Sequence, residues 1–105
     1  MGAKERNKGK RGELLLAQLL REHGYDAHRM GQTSGASGVP DVDGIAGLHI
    51  ECKFVERLNV REALDQASRD ARPGEIPVVF HKTSRKPWIV TLTAEDFLRI
   101  WKATK

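Results

Sequence analysis

Apolar residues along this chain switch between two periods. From about Lys10 to His23 they recur at helical spacing: Leu15, Leu16, Leu19 and Leu20 form one stripe, and Gly24 supplies a stop signal. Tyr25 to Arg29 reads as a short strand. Val39 to Ile45 reads as a strand entered through Pro40, and Leu48 to Phe54 as its hairpin partner, with the turn bracketed by Gly44 and Gly47. The partner alternates strictly, with Leu48, Ile50, Cys52 and Phe54 on one face and His49, Glu51 and Lys53 on the other. Asn59 followed by Glu62 is a capping box, and Val60, Ala63, Leu64 and Ala67 then mark an amphipathic helix that Pro73 and Gly74 close. Ile76 to His81 is a largely apolar strand expected at the sheet centre. Thr83 to Lys86 forms a basic turn and Trp88 to Leu92 the next strand. Thr93 caps a last helix expected to carry Phe97, Ile100 and Trp101 inward. The order α-β-β-β-α-β-β-α predicts an α/β fold, specifically an α+β mixed sheet flanked by helices. Met30 to Gly38 is a small, glycine-rich loop, either a linker or part of a site that closes over a ligand.

Composition narrows the class. At 105 residues, 39% hydrophobic and 30% charged, the chain fits a single domain over 1–105 with a real core. No apolar run approaches the ~20 residues needed to span a bilayer, and no signal-peptide pattern opens the chain. One cysteine, Cys52, excludes an internal disulfide framework and fits a reducing compartment. A cytoplasmic protein is expected, not a secreted one. The net charge is +4. Lys4, Arg6, Lys8, Lys10 and Arg11 against Glu5 alone account for all of it. Residues 1–9 are accordingly read as a basic flexible arm, either a solubilising tail or a grip on a polyanion.

The polar face of the Leu48–Phe54 strand concentrates the chemistry. If the hairpin is centred on Ala46, partners have numbers summing to 92, which sets Asp41 opposite Glu51. Two carboxylates that close repel and raise a pKa unless a cation lies between them. Mg²⁺ suits the pair, because it takes one or two carboxylates plus substrate phosphate. Lys53 projects from the same face. Glu13 lies on or beside the apolar stripe of the first helix, where a carboxylate needs a partner. A metal site supplies one, and so does a salt bridge. Asp43 shares a face with Asp41 and is a spare ligand or a solvated turn residue. His49 and Cys52 have zinc-like spacing but point to opposite strand faces, which excludes a shared zinc site.

Pro40–Asp41 followed by Glu51–Cys52–Lys53 resembles the signature of the PD-(D/E)xK nuclease superfamily. More of the chain is similar to archaeal-type Holliday junction resolvases, which also occur in phages. These features are Lys8–Gly9 ahead of Glu13, the leucine helix, His23–Gly24–Tyr25, Arg29, the Ser34–Gly35 loop, Ile76–Pro77–Val78–Val79 and Trp88. The likeness runs over residues 8 to 92. It departs in a short, alanine-rich second helix and a shortened C-terminus, the regions where the family's dimer contacts are sought.

The resemblance implies a restriction-endonuclease-like core and a metal-dependent, structure-selective DNA endonuclease. It implies Glu13, Asp41 and Glu51 as acidic metal residues, with the Cys52 backbone carbonyl as a further ligand. Lys53 would orient or activate the attacking water, and Gln66 would hold the lysine or the water. Arg29 and Ser34 would contact the phosphate backbone. Lys8, Lys10 and Arg11, with the hairpin-tip residues Lys82, Arg85 and Lys86, are the remaining candidate DNA contacts, the tip being equally readable as a solvated turn. Hydrolysis by water would leave a 5′-phosphate. The implied cofactor is Mg²⁺, with Mn²⁺ substituting, and no small-molecule cofactor. The implied partner is branched DNA, a four-way junction cut by a homodimer that offers two symmetric sites, in a bacterial, archaeal or phage-infected cell. Other readings are a restriction-type or single-strand- or flap-directed nuclease of the superfamily, and a non-catalytic DNA-binding module on the same fold.

Overall fold

The computed structural model describes residues 3–30 and 38–104. Helix α1 (Ala3–Glu22) leads into strand β1 (His28–Arg29). Strands β2 (Val42–Asp43) and β3 (Leu48–Phe54) form the hairpin, and helix α2 (Val60–Asp70) crosses to β4 (Ile76–Lys82). Strand β5 (Ile89–Thr91) and helix α3 (Ala94–Ala103) complete the order. The five strands form one mixed sheet in sequence order. β3 and β4 pair in parallel, which is what an intervening crossover helix permits, and the other pairs are antiparallel.

Both faces of β3 are covered. On one side Leu16, Ala17 and Leu20 of α1 pack with Val42, Ile50 and Val78, joined by partly buried Leu48, Cys52, Ile76 and Phe80. On the other, Ala63, Leu64 and Ala67 of α2 pack on Val79. The alternation therefore sorts β3 between two helices, and its polar face is an interior one: His49 and Glu51 are 0% and 5% exposed. α2 starts as its sequence demands, with the Asn59 side chain accepting the Glu62 N–H at 3.1 Å.

The hairpin register agrees with the sequence expectation, since Val42 pairs with Ile50. Its first strand is shorter than expected, because pairing extends over Val42–Asp43 only. Gly44, at φ +142°, allows the chain to pass Ala27: a Cβ there would lie 2.6 Å from the Ala27 Cα. The Tyr25–Arg29 strand contracts likewise to His28–Arg29.

Two expectations are corrected. Helix α1 begins at Ala3, not near Lys10, and so takes in residues 3–9 of the basic segment. The basic run lacks apolar periodicity, yet Lys and Arg are good helix formers and Gly9 does not interrupt the turn. Secondly, α3 fully buries none of its side chains: Ile100 is half-buried, and Phe97 and Trp101 stack on each other at 6.1 Å while remaining about half exposed. Helical spacing marks an apolar face but not what covers it.

α1 approaches β3 closely at Gly12. A Cβ on Gly12 would lie 2.6 Å from the Phe54 Cβ, so only glycine admits this contact. The next residue is Glu13, and the close approach sets it beside the strand that carries Glu51 and Lys53.

Candidate active site

Asp41 immediately precedes β2 and is fixed to β3 twice. Its N–H donates to the Ile50 carbonyl at 2.9 Å, and its Oδ2 accepts the Cys52 N–H at 2.9 Å. Pleating carries Glu51 and Lys53 to the α2 side of the strand. The pocket there, about 420 Å³, is lined by Glu13 from α1, Asp41, Glu51 and Lys53 from the hairpin, and Gln66 and Asp70 from α2. Glu13, Asp41, Glu51, Lys53 and Gln66, singled out from the sequence, thus meet in one place. Asp70 was not singled out. It lies one helical turn beyond Gln66, and that i, i+4 spacing is the signal that finds it.

Electrostatics distinguish the acids. Burial, then the charge and hydrogen bonding of Asp41, push the Glu51 carboxyl up to about 8, against the pull of Lys53. Glu13 is also raised, by burial and by Asp41, while Arg29 and Lys53 lower it. Its partner is Arg29, whose Nε donates to Glu13 Oε1 at 2.7 Å. The salt bridge anticipated as one option for Glu13 is therefore present, and it uses the Nε of Arg29, a residue also expected at phosphate. Burial and the surrounding carboxylates raise the Cys52 thiol, which stays neutral. The backbone carbonyl, not the sulfur, is the donor that Cys52 can offer.

His49 shares the buried face of β3. Its Nε2 lies 3.2 Å from Glu51 Oε1, and its Nδ1 lies 3.8 Å from Glu75 Oε1. Ligand atoms of His49, Glu51 and Asp70 lie within 4.8 Å of one another. Glu51 thus belongs to both acidic groupings. A closely set pair of carboxyls, one held protonated to an unusual pH by burial and by the other, is a donor set that fits a hard divalent cation with oxygen ligands.

A second cleft, about 890 Å³, adjoins the acidic pocket through Lys8 and Phe54 and is lined also by Arg11, Lys82 and Arg85. Three cations surround the Phe54 ring: Lys8 Nζ at 5.1 Å, Arg11 Cζ at 5.9 Å and Lys82 Nζ at 5.4 Å from its centroid. Glu56 accepts the N–H and Oγ–H of Ser84 at 3.0 and 3.1 Å, which ties the β4–β5 turn to the end of β3. Arg85 holds φ +66° in that turn, an uncommon conformation for a residue other than glycine. Lys86 lines a neighbouring depression and Lys10 is exposed on α1. Asp43 is exposed opposite His28 and is a solvated strand residue. Ser34 lies outside the described residues.

A mixed sheet with helices on both faces, an aspartate at the mouth of the second strand and Glu51-x-Lys53 on the third are consistent with a PD-(D/E)xK-like resolvase fold. No family model matches the sequence, and no curated relative does. Among solved structures the chain is similar to Hjc of Archaeoglobus fulgidus, a Holliday junction resolvase from an archaeal hyperthermophile. The two are 27% identical, with a TM-score of 0.62 over 80% of this chain and 76% of that one. The likeness supports a resolvase-like nuclease. Among the described residues, no helix is long and apolar enough to cross a membrane.

Proposed function

We propose that this chain is a single Mg²⁺-dependent nuclease domain, a Holliday junction resolvase that cuts four-way DNA junctions as a homodimer in the cytoplasm. The convergence of Asp41, Glu51 and Lys53 in one pocket beside a cationic cleft carries this reading.

Asp41 and Glu51, with the Cys52 carbonyl and Glu13 beside them, would hold the divalent ion. When bound, such an ion polarises a phosphoryl oxygen and lowers the pKa of water. The chain's own groups do the rest. The Lys53 ammonium offsets negative charge that develops on the phosphate, and Gln66 orients water at the pocket wall. Lys8, Arg11, Lys82 and Arg85 hold the flanking phosphates by charge. None of these groups reads a base edge, so selectivity rests on backbone position and DNA shape. The exposed Phe97 and Leu98 of α3, together with Ile89 and Val90 of β5, provide apolar surface that a second protomer would cover.

The test is cleavage of a labelled four-way junction with and without Mg²⁺, beside linear duplex and flap substrates. Metal-dependent, junction-selective nicking that Lys53→Ala abolishes is the expected result. Equal cutting of linear duplex refutes junction selectivity, and no cutting of any substrate refutes the enzyme.

A further inference from the structure

His49 is fully buried on β3, two residues before Glu51 and on the same face, beneath α2. From α2, Asp70 brings a carboxylate oxygen into the same group, within 4.8 Å of the ligand atoms of His49 and Glu51. Its Nδ1 is a buried polar atom without a hydrogen-bond partner among the described residues, a situation that is unfavourable to folding. Its other nitrogen, Nε2, lies 3.2 Å from Glu51 Oε1. An ionised carboxylate only accepts hydrogen bonds, so in that state the imidazole is the donor. On the far side of the ring, Glu75 Oε1 stands 3.8 Å from Nδ1, and Glu75 is anchored by the Arg72 N–H at 2.8 Å.

We propose that His49 is a positioning residue: it holds the Glu51 carboxylate by a hydrogen bond from Nε2, backed by Glu75, so that Glu51 meets the divalent ion in one orientation. The proposal rests on the nuclease reading above, and it gives a role to a fully buried ring set among carboxylates with one nitrogen unpartnered. One imidazole donor uses one of the carboxylate's lone pairs and leaves the others for a cation. Ligands fixed in this way by an outer hydrogen-bond partner typically lose about 10–100-fold in metal affinity when the partner is removed. His49 is not assigned as a ligand itself, because its Nε2 is already directed at Glu51.

The experiment is Mn²⁺ binding to the full chain by titration calorimetry and electron paramagnetic resonance, with circular dichroism melting alongside. The variants are His49→Leu, His49→Gln and Glu75→Gln. His49→Leu is expected to weaken Mn²⁺ binding by about 10–100-fold while the protein remains folded, and His49→Gln, which keeps an amide donor, to recover most of the loss. Folded His49→Leu with wild-type Mn²⁺ affinity overturns the proposal. So does equal weakening by the leucine and glutamine variants, since packing alone would then account for the effect. Should His49→Leu not fold, Glu75→Gln decides: weaker Mn²⁺ binding is expected, and unchanged binding overturns the proposal. A wild-type protein that neither binds Mn²⁺ nor cleaves DNA overturns the nuclease reading together with it. A wild-type protein that does both, beside an equally competent leucine variant, removes His49 alone.

Discussion

The Asp41 carboxylate accepts a hydrogen bond from the backbone N–H of Cys52, Oδ2 to N, at 2.9 Å. This bond fastens the acid that precedes β2 to the residue between Glu51 and Lys53. An asparagine oxygen accepts the same bond, so Asp41→Asn removes the charge and keeps the tether. Cleavage is expected to fall beyond the roughly 100-fold typical of outer residues, with the melting temperature nearly unchanged. Single-turnover cleavage and a melting curve check both parts.

The pH dependence follows from Glu51. Burial and Asp41 push its carboxyl up to about 8 in the folded protein, against ~4.3 in an unfolded chain. Between those values the folded state holds a proton that the unfolded state has released. This group's contribution to stability therefore falls as pH rises through the window and levels off above about 8. Metal binding requires the ionised form, so Mg²⁺ uptake releases protons. Affinity should rise from pH 6 toward about 8, and Mg²⁺ should stabilise the protein more at the upper end. Calorimetry in two buffers of different ionisation enthalpy measures the released protons, and a pH-independent affinity removes Glu51 from the ligand set.

The cleft around Phe54 yields a prediction about salt. Lys82 and Arg85 line it with Lys8 and Arg11. If each holds one phosphate, Lys82→Ala with Arg85→Ala should weaken DNA binding and reduce the slope of log affinity against log salt by about 2. Fluorescence anisotropy over a salt series reads both quantities. An unchanged slope returns the hairpin tip to a solvated turn.

Gly12 predicts a sign that helix propensity alone gets wrong. In an open helix Gly→Ala stabilises by about 1 kcal/mol. Here the added methyl meets the Phe54 Cβ at 2.6 Å, and overpacking of that kind costs about 1–3 kcal/mol. Gly12→Ala is expected to destabilise the protein in urea unfolding and to slow cleavage, because the helix that carries Glu13 must shift.

The sequence was most legible where one strand answers to two neighbours. The bounds of β3, its pairing with β2 and the Asn59 cap of α2 were all readable, because alternation, turn glycines and cap chemistry act within a few residues. The gathering of Glu13, Asp41, Glu51, Lys53 and Gln66 was readable through the Glu51-x-Lys53 pattern and its resemblance. What escaped depends on contacts distant in sequence. Alternation put His49 on the polar face of its strand without showing that this face is interior; the placement of α2 buries it. The pairing of Arg29 with Glu13 joins residues 16 apart, which no local pattern reveals. The cationic ring around Phe54 draws residues from α1, β3 and β4, which no local pattern joins.

Helix α3 has ten residues and fully buries none of them. Isolated helices shorter than about 12–15 residues are marginal in water, so this segment lacks the means to stay wound by itself. If a second protomer covers this surface, as proposed above, the winding of the helix depends on association. At high dilution its amides should exchange with solvent almost as freely as those of an unfolded chain, and protection should grow with protein concentration while that of β3 and β4 stays constant. The C-terminal turns would thereby report assembly from within the chain.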